Sequence, residues 1–88
     1  MRVSLENVSS SKELHALLKR EFDFPYFYGN NWHAFWDAIT GLVEMPKEIE
    51  FTGWSEFCDN MPKEAEHLRR IMTRYVDMYA KDYTINYK

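Results

Sequence analysis

Three short stretches of this chain alternate as strands do, and they lie far apart: Arg2 to Glu6, with Val3 and Leu5 on one side, Glu48 to Phe51, and the closing "YTINY" of Tyr83 to Tyr87. Between the first and second there is room for two helices, and between the second and third for two more. Strands so separated are not joined by hairpins. Helical crossovers of this length favour parallel strands with right-handed connections. The expected fold is α/β, a three-stranded parallel sheet packed by about four helices.

The helices are punctuated by their caps. In "SSSKELHALLKREF", Ser10 and Glu13 form a capping box, and Leu14, Leu17 and Leu18 follow at helical spacing, so a first helix ends near Phe22. Phe24-Pro25 breaks it. Gly29-Asn30-Asn31 supplies a turn and an N-cap for a second helix from about Asn31 to Thr40, and Gly41 is the expected stop. Trp54 to Cys58 suits a short helix. Pro62 then opens a long one to about Tyr79, with Leu68, Ile71, Met72 and Tyr75 on one face.

No repeat, low-complexity tract or linker interrupts the 88 residues, which are read as one domain, 1–88. Aromatic residues make up 17%, so either the core is unusually rich in rings or some of them face a partner. Charge is uneven. Glu21 to Asn60 holds eight acids against Lys47 alone, −7, while the rest has ten bases and six acids, +4, restoring the net −3. Such a segment disfavours direct nucleic-acid binding and favours a basic protein partner. Cys58 has no second thiol to pair with, no apolar run is long enough for a membrane span, and Met1 to Glu6 lacks the apolar core of a signal peptide. A cytoplasmic protein is expected.

The second helix carries the most informative pattern. At 100° per residue Trp32, Phe35 and Ile39 share an arc that Leu42 and Val43 extend, and this is the expected core side. His33, Asp37 and Thr40 lie on another arc, with Trp36 at the border. A ring that excludes water beside a charge is the composition of a binding hot spot. His33 and Asp37 are too few for a metal site, and His15 and His67 lie on other helices without a ligand spacing. No nucleophile or oxyanion site accompanies the His33 and Asp37 pair, Cys58 reads as a small buried residue, and glycine is too scarce for a phosphate loop. No catalytic residue, metal or cofactor is expected.

The stretch "FPYFYGNNWHAFWDAITGLVEMP", residues 24 to 46, resembles the central signature of the barstar family, intracellular inhibitors of barnase-type ribonucleases. An aromatic turn before a glycine leads into an Asn-capped helix with a Trp-Asp pair, then Thr-Gly and a Glu before Pro. Weaker agreement covers the whole chain. The resemblance implies three parallel strands with four helices, and a protein that plugs a ribonuclease active site with its second helix and the preceding turn, as a monomer in a 1:1 complex.

Residue by residue, Asp37 corresponds to the aspartate that takes a phosphate position in the enzyme, and Trp36, Tyr28, Gly29, Thr40, Gly41 and Glu44 match the motif. Phe27 keeps the ring but not the hydroxyl of the family's contacting tyrosine. Leu42 replaces a contacting tryptophan, and His33 stands where the family has a second acid. On the long helix Asp77 is the acid nearest a further contact. These departures concern the identity of the target, a basic ribonuclease or nuclease toxin. An interaction module or immunity protein of the same fold with a different, non-barnase partner is the alternative.

Overall fold

The computed structural model describes every residue from Met1 to Lys88. Its elements are β1 (Arg2–Ser4), α1 (Ser11–Phe22), α2 (Trp32–Gly41), β2 (Glu48–Thr52), α3 (Trp54–Asn60), α4 (Pro62–Tyr79) and β3 (Thr84–Tyr87). Both strand pairs are parallel and β2 is central, with Val3 opposite Phe51 and Ile49 opposite Ile85. This is the barstar-like α/β arrangement of three strands and four helices.

Only one face of the sheet is covered. Parallel sheets are usually buried on both faces and read as continuous apolar runs. Here exposure alternates, with Val3, Ile49 and Phe51 buried while Arg2, Ser4, Glu48, Thr84 and Asn86 face solvent. On that open face Glu50 accepts from Arg2 at 3.0 Å and from Lys88 at 2.9 Å, tying all three strands together. The hydrogen bond from Lys88, then that from Arg2, holds the Glu50 carboxyl below the usual carboxylate range.

Local chemistry accounts for most boundaries. Ser10 accepts the Glu13 N–H at 3.1 Å to start α1, and Asp23, left-handed at φ 58°, ends it. Pro62 opens α4, where a missing N–H costs nothing. Gly53 must be glycine for two reasons: its φ is +70°, and a Cβ there would lie 2.4 Å from Glu6 Cγ and 3.0 Å from the Glu6 backbone nitrogen. β1 is shorter than its alternating pattern, although Leu5 N–H still donates to the Thr52 carbonyl at 2.9 Å before Asn7 turns left-handed.

Gly41 is the last residue of α2, as expected, though without a left-handed turn: Leu42 follows in right-handed conformation, and both Leu42 and Val43 donate to the Ala38 carbonyl at 3.1 Å. Two expectations of burial fail. Leu42, which the extrapolated arc puts on the core side, is 50% exposed just past the end of the helix. Cys58 is only half-buried.

The core is aromatic as well as aliphatic. Phe22, Phe24, Phe35 and Phe51 are buried and meet edge to face around Phe35 and Phe51, with centroids 5.8 to 6.5 Å apart. Leu14 and Leu18 of α1, Ile39 of α2, Phe57 of α3, and Leu68, Met72 and Tyr75 of α4 complete it.

Candidate functional site

The turn before α2 is built from the inside. Tyr28 donates its N–H to the Pro25 carbonyl at 3.0 Å, and its side chain is buried, with the hydroxyl 2.7 Å from Nδ1 of buried His15. Trp32 stands edge-on to His15 at 4.7 Å and stacks on His67 at 5.9 Å. Its indole N–H reaches Glu64 at 3.5 Å, and the other Glu64 oxygen accepts from Ser11 at 3.1 Å. Three elements thus hold one ring stack. Burial raises the Tyr28 phenol well above its ordinary range and lowers His15, an effect that Glu64 partly offsets.

Asn30, left-handed at φ 54°, then sets up Asn31, whose side-chain oxygen caps α2 by accepting the Ala34 N–H at 2.8 Å. The same amide donates to the Gly29 carbonyl at 3.1 Å. With the backbone fixed from inside, Tyr26 and Phe27 project outward, edge to face at 5.6 Å.

Along α2, Asp37 is exposed and forms no ion pair. One turn on, Thr40 donates its hydroxyl to the Trp36 carbonyl at 2.7 Å. Nothing lies within 4 Å of where a Cβ on Gly41 would be, and Leu42 and Glu44 continue the exposed edge. Trp36 is half-buried, between the Arg74 guanidinium at 5.0 Å from its centroid and the Tyr79 ring at 6.0 Å. His33 is exposed beside it, and no third ligating side chain joins His33 and Asp37.

Phe27, His33, Trp36, Asp37, Thr40, Gly41, Leu42 and Glu44 therefore belong to one turn and the helix and loop that follow it. Asp77 is apart from them: it lines the groove between α4 and β3 with Val76, Lys81 and Thr84. The α4 residues that touch Trp36 are Arg74 and, at its end, Tyr79, neither of which the sequence reading singled out. Tyr79 continues the Leu68, Met72 and Tyr75 stripe at helical spacing, whereas Arg74 lies to one side of it, and whether that side meets α2 depends on how the helices cross.

The acids of the central segment are dispersed. Glu48 and Glu50 are on the open sheet face, while Glu21, Asp23 and Glu44 border a separate hollow with Met1 and Lys47. The charge that α2 itself presents is Asp37. No helix is long and apolar enough to cross a membrane.

The family model described as Barstar (barnase inhibitor) matches residues 1–87. A protein of Bacillus subtilis (strain 168), named "Putative ribonuclease inhibitor YrdF", is 46% identical over 44 residues, covering 44% of this chain and 48% of that protein. The match spans about half the length of that curated relative.

Proposed function

The chain belongs to the barstar family, and on that premise we propose that it inhibits a basic ribonuclease by occluding the enzyme's active site with the turn at Tyr26 to Asn30 and with α2. The observation that carries this reading is Asp37, an exposed carboxylate on α2 without an internal counter-charge. In the complex its carboxylate stands where an RNA phosphate would bind, and the enzyme's cations supply the partners it lacks in the free protein.

Phe27 and Leu42, both exposed, offer apolar surface to the same partner. Trp36 backs the helix at this position, and Thr40, Gly41 and Glu44 extend the contact along its C-terminal end. The inhibitor does no chemistry and needs no metal or cofactor. It acts as one domain over residues 1–88, as a monomer in a 1:1 cytoplasmic complex.

The test is inhibition of RNA cleavage by a barnase-type ribonuclease, measured with the native protein and with Asp37→Ala. Stoichiometric inhibition that the variant loses supports the reading; cleavage unaffected by the native protein rejects it for that enzyme class. A second reading, an interaction module with a non-nuclease partner, is favoured by Arg74, a cation beside Trp36 that a uniformly basic enzyme would oppose.

A further inference from the structure

Next to Asp37 the surface changes sign. Trp32, His33 and Trp36 of α2 and Ile71 and Arg74 of α4 line a hollow of about 220 Å³. Small-molecule sites begin at roughly 300 Å³, so this one suits a single side chain better than a free metabolite. Its walls are the half-buried Trp32, Trp36 and Ile71, and its rim carries the Arg74 guanidinium and the His33 ring, with no carboxylate among the lining residues.

Arg74 is held ready. Its guanidinium lies over the Trp36 ring, and its Nε donates to Met78 Sδ at 3.5 Å, while its two terminal nitrogens carry no partner. Arg2, Arg20 and Arg70 each pair with a glutamate; Arg74 does not. A planar fork fixed by stacking loses little freedom on meeting a carboxylate, and that geometry is the one a carboxylate matches.

We propose that this hollow receives an aspartate or glutamate side chain of the partner protein, gripped by Arg74 and flanked by His33. A polyanion such as RNA is a poorer occupant, because its further phosphates would run onto Asp37. The partner surface then alternates, with cations for Asp37 and one anion for Arg74, a pattern that fixes docking register and rejects uniformly basic surfaces. It also gives a purpose to His33, where the family pattern has an acid. The identity of the partner as a ribonuclease rests on the reading above; the carboxylate does not.

Two measurements decide it. In ¹H–¹⁵N spectra of the whole protein, N-acetyl-glutamate amide should shift the Arg74 Nε–H and Trp36 indole signals saturably, and N-acetyl-glutamine amide should not. Arg74→Gln should abolish the response while the rest of the spectrum stays native. Equal shifts with both compounds, or none with either, overturn the proposal, whether or not any ribonuclease is inhibited.

With the ribonuclease found in the inhibition assay, Arg74→Glu should weaken binding by roughly tenfold or more, and Arg74→Lys by less. Tighter binding by Arg74→Glu means that a cation faces Arg74, and overturns the proposal while leaving the inhibitor reading intact.

Discussion

Phe27 and Tyr28 are adjacent rings with opposite fates: Phe27 is 61% exposed and Tyr28 is 7% exposed. Tyr28 belongs to the stack with His15, Trp32 and His67, and Phe27 touches little besides Tyr26. The same contrast recurs in α2, where Phe35 is fully buried and Asp37, two residues on, is exposed. Exposed candidate contacts and buried core positions therefore interleave along the chain and do not occupy separate segments. Ordering a side chain at an interface costs about 0.5–1.5 kcal/mol, so a turn already fixed by its buried neighbour binds at lower cost.

The sharpest way to break the comparison is to change one member of each pair. Phe35→Ala should lower stability by about 3–5 kcal/mol in urea denaturation, the usual cost of emptying a phenylalanine site. The folded fraction should still bind, because Phe35 offers no surface to a partner.

Asp37→Ala should do the reverse, leaving stability within about 0.5 kcal/mol while costing at least about 2 kcal/mol of ribonuclease affinity, the hot-spot threshold. Asp37→Asn should fail nearly as badly, since shape survives and charge does not. Calorimetry with circular dichroism as fold control separates the two terms, and a stability loss resembling that of Phe35→Ala would make Asp37 structural. Phe27→Ala is a smaller version of the same experiment: about 1–2 kcal/mol of affinity and a few tenths of stability are expected.

Much of this was legible in the chain. Alternation marks all three strands, Ser10 and Pro62 mark helix starts, and Val3, Leu5, Phe35 and Leu68 fall where their periodicity puts them. These are local signals. What was not legible depends on helix ends and helix crossings: Leu42 is exposed because it lies just past α2, where the periodic pattern no longer decides burial, and Arg74 meets Trp36 where α4 packs on α2. Charge counted along the chain also does not tell which acids are free, since Glu50 is paired with Arg2 and Lys88. His15 looked like an unremarkable helix residue; its role becomes visible only when the Tyr28 hydroxyl arrives from another element.

That bond gives the smallest and most selective prediction. Tyr28→Phe should cost about 1 kcal/mol of stability, the ordinary worth of one hydrogen bond. The remaining effect is set by pH. Burial lowers His15 in the folded protein, whereas the unfolded chain titrates near about 6.5, so below that value the unfolded state binds the proton that the folded state resists. Stability is therefore undiminished above about pH 6.5 and falls as the pH drops toward the depressed folded value.

The groups facing His15 are the Tyr28 hydroxyl from the turn, the Trp32 ring of α2 and the Glu64 charge from α4. Glu64 moderates the loss without cancelling it. Glu13 and Glu50 are held below the carboxylate range, Glu13 first by its hydrogen bond from Ser9, and they lose their contribution only below about pH 4.3, so the window between pH 5 and 6.5 excludes them. Urea denaturation across that window should slope downward with acid in the native protein and less steeply in His15→Gln. If the slopes coincide, His15 is not the group that resists the proton, and the buried side of the comparison loses its pH dependence.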